Sequence, residues 1–453
     1  MKNPFIGKNI HLIGIGGISM SGLAKWCNAN DMTVSGSDVH HSETLIELQE
    51  LGINAYAGSN VSIAGLADIV VYSSAISEGD AELCFCRAKK IVCFERHRFL
   101  GIVASLYNEV IAVSGTHGKT TVTGLLSTIF KRAEKSFTAH IGGDVKDLNG
   151  NFYMSGEEYF ITEACEYKHS FLSLQPNTII ILNVESDHPD CYNALSDLED
   201  TFAKFVSNMQ NDGLIVINRD VDYRNLHICT NTHMLTYGFD AEADCYATNI
   251  LEYLGKCEYD VILNKEHFCH IKSNMFGRHN ILNALAAILT ANYYGVSKQN
   301  IIETIETFKG IKRRFEFVGE VNGARIVIDY AHHPSEIVAT LDAAKKMQYR
   351  NLRVYFQPHT YSRTKKYFDE FANAFENVDE LSIVSTYPAR ETPDMGATAF
   401  ELFYYINTCV QDAKYFDTLM AVATNILKTA MPDDLILILG AGDIAEVAKL
   451  VLQ

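Results

Sequence analysis

Seven consecutive residues, Gly115, Thr116, His117, Gly118, Lys119, Thr120 and Thr121, are of the types that hold a phosphate. They follow a short apolar run, Val110 to Val113, and precede a helix-like stretch, Val122 to Phe130. In such a layout backbone N–H groups at the turn and helix start converge on an anion. The Lys119 ammonium adds a mobile positive charge, and the Thr120 hydroxyl is a hard donor for magnesium. The longer Walker string is incomplete, because Val113 stands where its first glycine would be. An ordinary glycine turn between strand and helix has the same outline.

A second glycine cluster, GIGGISMSG from Gly14 to Gly22, also follows an apolar run. Its dinucleotide-binding register fails at the third glycine, where Ser19 stands, although Asp38 closes the next strand where a ribose-binding acid would sit. Dinucleotide, another nucleotide and a structural turn all fit this cluster alone. A separate phosphate loop favours a nucleotide-bearing substrate here and ATP in the second unit.

Acidic and imidazole groups gather at other strand ends. EACE places Glu163 as a magnesium ligand, with Glu166 as a surface or substrate-side charge. NVESDHPDCY brings Glu185, Asp187, His188 and Asp190 together, a density suited to metal and substrate work. Helix capping by Asp187 or Asp190 is the simpler alternative. In GRHNILNALAA, His279, Asn280 and Asn283 span one helical turn. An Asn283 amide matches a purine edge, while capping by Asn280 explains part of the pattern equally well. IDYAHHPSE and YFQPHTYSRTKK place His332, His359 and Arg363 at neighbouring strand ends. No H-E-x-x-H or cysteine pattern supports zinc there. Arg363 has the planar fork that grips a carboxylate, and a surface salt bridge is its alternative.

These groups need strand ends to stand on, and the sequence supplies them. Strand-like and helix-like segments alternate nearly throughout, which predicts α/β architecture: parallel sheets covered by helices. Three units are expected, at residues 1–106, 107–312 and 313–453. The first and last read as Rossmann-like and the middle as a P-loop ATPase-type unit. In the middle one, residues 244–273 suggest a small antiparallel excursion, and HNILNALAAILTANYYG predicts a strongly amphipathic helix ending at Gly295. The last unit shows four strands, around ARIVIDYA, LRVYFQPH, LSIVS and DLILILGAG.

Composition narrows the class. With 453 residues, 47% hydrophobic and 21% charged, the chain reads as soluble and multidomain. No apolar run reaches the roughly 18–20 residues that span a bilayer. The N-terminal segment reads as a first strand, so a cytoplasmic location without membrane insertion is expected. A net charge of −17 argues against broad nucleic-acid binding. Eleven cysteines, an odd number without a C-x-x-C pair, predict reduced thiols.

Taken together, GIGGISMSG, SGSD, SSAI, GTHGKTT, EACE, NVESDHPD, GRHNILNALAA, KRRFE, DYAHHP, FQPHTYSRT and LGAGDI resemble, in order and nearly end to end, the Mur ligase family of peptidoglycan synthesis. The opening string, DYAHHP and FQPHTYSRT point to the member that joins L-alanine to UDP-N-acetylmuramate. The resemblance implies a first domain for the uridine nucleotide sugar, a central domain for ATP and a last domain that closes and receives the amino acid. It places Gly16, Gly17, Ser21, Asp38 and Ser74 at the sugar nucleotide, and residues Gly115 to Thr121 at the ATP phosphates. Magnesium falls to Thr120, Glu163 and His188, adenine to His279 and Asn283, and the nucleotide phosphates to Arg314. Asp329 and His332 serve ATP and metal from the closing domain, while Tyr330, His359 and Arg363 lie near the amino acid. Lys119, His188 and His332 are the implied catalytic groups.

Three positions depart from the family's usual residues: Ser19 for glycine, Cys165 for aspartate and Thr360 for arginine. The implied chemistry is ATP-driven amide formation through an acyl phosphate. A related ligase that attaches a preformed murein peptide, an NAD-dependent oxidoreductase and a non-catalytic nucleotide-binding protein are the rival readings. Oligomeric state is not legible.

Overall fold

The computed structural model describes residues 3–452, apart from 189–190, 193, 211, 227, 229–231, 254, 276, 377, 390 and 394–396. Short β-branched runs pair into three sheets. The first holds β1 (Asn9–Ile13), β2 (Thr33–Asp38), β3 (Asn54–Ala57), β4 (Ile69–Tyr72) and β5 (Val92–Glu95), all parallel, in the order β3-β2-β1-β4-β5. The direction of winding reverses at β1, which places a ligand crevice beyond its carboxyl end. The glycine loop leaves from there.

The central sheet has ten strands: β6 (Glu109–Ser114), β7 (Phe137–Val145), β8 (Gly150–Met154), β9 (Tyr159–Ala164), β10 (Thr178–Ile181), β11 (Leu214–Asn218), β12 (His233–Gly238), β13 (Cys245–Tyr253), β14 (Lys256–Leu263) and β15 (Glu266–Ser273). Their order is β15-β14-β13-β12-β11-β10-β6-β9-β7-β8. The antiparallel segment expected as a separate excursion is a continuation of this sheet, since β13 pairs with β12 in parallel. The helix Arg278–Tyr293 is not amphipathic as expected. It packs on β11, β12 and β13 beside the helix Lys119–Arg132, which covers β6, β7 and β9, and its inner residues are buried almost all round.

The third sheet comprises β16 (Glu316–Val321), β17 (Ala324–Asp329), β18 (Leu352–Phe356), β19 (Glu380–Val384), β20 (Ala413–Phe416) and β21 (Leu435–Leu439), in the order β16-β17-β21-β18-β19-β20. The four expected strands are its interior, and β16 and β20 are half-exposed edges. Only β16 runs antiparallel.

One apolar cluster joins the first two domains, running from Leu12, Trp26 and Phe99 to Phe160, Phe171 and Phe202. Within it Trp26 Nε1 donates to the Tyr107 hydroxyl at 2.9 Å, and that hydroxyl donates to Thr138 Oγ1 at 3.0 Å. The third domain meets the others through polar contacts and through Ala343 and Met347, which pack against the central core. Nine described cysteines are free thiols. Among the described residues no helix is long and apolar enough to cross a membrane.

Candidate active site

Strand pairing assembles the site. β6 lies between β10 and β9 with Ser114 level with Ile181 and Ala164. The phosphate loop, NVESDH and EACE therefore leave the sheet side by side. Two glycines let the loop turn: φ is +134° at Gly115 and +86° at Gly118. A Cβ on Gly118 would stand 2.6 Å from Asn283 Oδ1, so any other residue there would displace the Asn283 amide. Residues at the end of the neighbouring strand fix the rest. His117 N–H donates to Asn183 Oδ1 at 2.8 Å, and Thr116 Oγ1 donates to Glu185 O at 3.1 Å.

Lys119 opens the helix Lys119–Arg132 and is folded back over the loop. Its Nζ donates to Thr116 O at 3.0 Å and pairs with Glu166 at 3.0 and 3.2 Å. Burial would lower its pKa, but the Glu166 carboxylate beside it holds the ammonium above its ordinary value. Glu166, expected as a surface or substrate-side charge, is instead 1% exposed beneath the lysine. Its neighbour Glu163 accepts a hydrogen bond from Gly142 N–H at 2.6 Å, and burial raises its pKa despite that bond and the Thr120 hydroxyl. Thr120 and Glu163 thus present two adjacent hard oxygens.

His188 has another setting. Its Nε2 stands 3.5 Å from Glu166 and 3.8 Å from Asp187, and its ring centroid is 5.0 Å from that of Tyr167. Among the described residues no three His, Cys, Asp or Glu side chains form a metal cluster. Asp190 lies outside the described residues.

Two clefts flank the loop. One, of about 590 Å³, brings His117, Asn183, His279, Asn283, Arg314 and Asp329 to a common wall. Burial pushes the His279 imidazole down to about 4, so this wall is neutral there. The other, of about 850 Å³, lies where the three domains meet: Ile18 from the first, Thr120 and Gly142 from the second, Arg314 and Tyr330 from the third. Arg314 borders both.

The third domain closes the site with a charged hub that the sequence reading missed. Glu336, in the first turn of the helix Pro334–Lys345, faces His117 Nδ1 at 3.0 Å, His332 Nδ1 at 3.2 Å and Arg314 at 3.7 Å. It also accepts from the N–H groups of His332 and His333 at 3.1 and 3.3 Å, which makes it the acid of a capping box. Burial opposes its ionisation, but His332 and His117 hold its carboxyl well below the usual range. The His333-to-Glu336 spacing was the available signal, because a capping acid sits at that interval.

Asp329 braces the strap that carries Arg314. Its carboxylate accepts from Ala331 N–H and Phe315 N–H, both at 2.7 Å, and burial raises it to about 6. The Arg313 and Arg314 guanidinium carbons lie 5.0 and 5.1 Å from the centre of the Tyr330 ring. His332 Nδ1 is 3.0 Å from Tyr330 O. Since a carbonyl only accepts, Nδ1 carries the hydrogen and Nε2 is the ring nitrogen left for another partner.

Arg363 is not a surface residue. Its Nη2 and Nε donate to Asp187 Oδ1 at 3.0 and 3.3 Å, and Nη1 to His359 Nδ1 at 3.1 Å. Both members of the ion pair are nearly buried, with 7% and 5% of the side chain exposed. Burial pushes His359 down to about 3, and its ring stacks on Tyr387 at 5.6 Å. Thr360 takes a left-handed φ of +68° at the N-cap of the helix Tyr361–Lys366.

In the first domain the glycine loop is stitched to β2. Gly14 and Ile15 N–H donate to Ser37 O, and Gly16 N–H donates to Asp38 Oδ2 at 2.9 Å. Gly17 is the N-cap of the helix Ile18–Ala29. Ser74 is half-buried in the turn after β4. Ser21 is 1% exposed and turned from the crevice: its hydroxyl donates to Ile18 O and accepts from Asn151 Nδ2, both at 2.9 Å.

Family models described as the Mur ligase catalytic domain, the Mur ligase middle domain and the Mur ligase glutamate ligase domain match residues 9–108, 113–291 and 313–442. The chain is 41% identical to the UDP-N-acetylmuramate–L-alanine ligase of Clostridium acetobutylicum, over 100% of this chain and 99% of that one. Among solved structures, the UDP-N-acetylmuramate–alanine ligase of Thermotoga maritima superposes with a TM-score of 0.85 at 26% identity, covering 98% of each chain. A murein peptide ligase from Psychrobacter arcticus gives 0.75 at 25% identity, also over 98% of each chain.

Proposed function

This chain belongs to the Mur ligase family, and we propose that it joins L-alanine to the muramoyl carboxylate of UDP-N-acetylmuramate with cleavage of ATP to ADP and phosphate, in the synthesis of peptidoglycan precursors. The observation that carries this reading is the convergence of all three domains on the phosphate loop: Ile18, Thr120 and Tyr330 border one cleft.

The sugar nucleotide is assigned to the loop of Gly16 and Gly17, with Asp38 and Ser74 beside it. ATP is assigned to Gly115–Thr121, with its base between His279 and Asn283. The proposed domain limits stay at 106 and 312. The residues fit a magnesium ion, since Thr120 and Glu163 offer two adjacent hard oxygens and phosphates complete such a shell. Magnesium supplies charge neutralisation there. His188 is the weaker ligand, with Nε2 turned to two carboxylates.

The chain's own groups then have defined work. The carboxylate oxygen attacks the γ-phosphorus, the bond to the ADP oxygen breaks, and an acyl phosphate remains. This transfer needs neutralisation and alignment more than covalent protein chemistry. Lys119, once released from Glu166, and Arg314 provide positive charge. The alanine amine then attacks the acyl carbon and phosphate leaves. Of the two imidazoles considered for the amine proton, His332 is the better placed, because its Nδ1 is held by Tyr330 O and Nε2 is the accepting atom. His359 and Arg363 stand beside it for the amino acid. The docked third domain excludes water that would hydrolyse the acyl phosphate.

Phosphate release measured with each substrate omitted in turn tests the reading. Release should require ATP, UDP-N-acetylmuramate and an amino acid together. Release that persists without the sugar nucleotide would sink it.

A further inference from the structure

Arg96 opens the helix Arg96–Ala104 just after β5, where the first and central domains meet. Its guanidinium makes one hydrogen bond, from Nη1 to Ser19 Oγ at 3.0 Å, and enters no ion pair among the described residues. Burial lowers its pKa, and the charges that oppose this are those of Cys165, Glu95 and Glu163. The residue is half-buried, and the Ser19 hydroxyl engages only one of the guanidinium's five donors, which leaves the others for an anion.

Ser19 is held from the other side. His140 Nε2 stands 2.9 Å from Ser19 O and 3.2 Å from Ser19 Oγ, while Nδ1 is 3.4 Å from Thr162 Oγ1. Burial lowers His140 to about 4, so it is a neutral donor here and brings no charge to pair with Arg96. Thr162 precedes Glu163 on β9. The guanidinium is thus fixed between the glycine loop, whose helix begins at Ile18, and the carboxylate end of β9. Ile18 itself borders the three-domain cleft.

We propose that Arg96 is a substrate-binding residue that takes an anionic group of the sugar nucleotide, and that Ser19 is the residue that positions it. The inference rests on the ligase reading above. Two anionic groups have the right chemistry, the diphosphate at the glycine loop and the muramoyl carboxylate on its way to the phosphate loop. Both accept the paired donors of a guanidinium fork.

Calorimetric titration of the full chain separates these sources. The probes are UDP-N-acetylmuramate and UDP-N-acetylglucosamine, which has the diphosphate but no carboxylate. Arg96→Met should weaken UDP-N-acetylmuramate about 10- to 100-fold, the loss expected for a charge-assisted contact, with ATP affinity and melting temperature unchanged. An equal loss for both probes assigns the diphosphate. A loss confined to UDP-N-acetylmuramate assigns the carboxylate. Ser19→Ala should give a smaller loss in the same pattern. If Arg96→Met fails to fold, Arg96→Lys keeps the charge without the fork and should still bind several-fold more weakly. Wild-type affinity in a folded Arg96 variant overturns the proposal. A wild-type protein that binds neither probe overturns the ligase reading and this inference with it.

Discussion

Lys119 illustrates what a single residue reveals in sequence and what it hides. Its type and place after Gly118 announce a phosphate contact, but its partner Glu166 is 47 residues away and reads in sequence as a surface or substrate-side charge. The contact depends on β6 and β9 lying side by side, which a local string does not encode. Lys119→Ala should lower turnover at saturating ATP by about 10²–10³, the usual effect of removing one electrostatic contact to the transition state. Near wild-type turnover would remove Lys119 from the phosphates. Arg363 is the second case. Its fork was legible, and its bond to Asp187, 176 residues distant, was not. Arg363→Lys should raise the KM for L-alanine about 10- to 100-fold, since a point charge replaces a directed fork. The KM values for ATP and the sugar nucleotide should change little. Equal effects on all three in steady-state kinetics would mean that Arg363 acts only by docking its domain.

At the scale of elements, the helix Pro334–Lys345 carries the least anticipated feature. Its capping acid Glu336 also pairs with His117 of the phosphate loop, so the helix start reports on whether the third domain is docked. Glu336→Gln keeps a capping acceptor oxygen while removing the charge. The variant should lose about 1.5–3 kcal/mol of stability at pH 6, the range for hydrogen bonds to charged groups. The sign of the pH effect follows from His117. Burial alone would lower its pKa, but Glu336 raises it above 6.5. The pair's contribution is therefore complete below 6.5 and lost as pH rises through the raised value. The stability gap between wild type and variant, followed by denaturant unfolding, should narrow as pH rises. A gap that widens would contradict the pairing. Strands were legible where they are central and β-branched, as in β10 and β21. Those missed were short edges such as β20, or glycine-bearing and polar runs such as β7, whose pairing comes from neighbours and not from alternation.

The whole molecule divides into a pair of domains with a common core and a docked third domain. The first two domains share one apolar cluster, whereas the third adds Ala343 to the central core and is otherwise held by Arg363–Asp187, Glu336–His117, Tyr367 hydroxyl to Ser186 O at 2.6 Å, and Lys449–Glu43 at 3.0 Å. Polar contacts of this kind permit opening for substrate exchange. Asp187→Asn should leave a nearly buried arginine without its anion and favour the open form, seen as a larger radius of gyration in X-ray scattering. An unchanged radius together with unchanged kinetics would rule out a clamp. Burial opposes the ionisation of Asp187, but Arg363 holds its carboxyl far below 3.8. Its contribution is thus present above that value and lost only as pH falls below it. Domain order and fold class were readable from the run of motifs, while the docked state was not, because it lives in pairs separated by hundreds of residues. The most direct test of the central claim is the mass of the product formed from ATP and UDP-N-acetylmuramate with a panel of single amino acids and a preformed murein peptide. The account expects a sugar nucleotide heavier by one alanyl residue, formed with one phosphate per turnover. A product made only with the peptide, or no product with L-alanine, would contradict it.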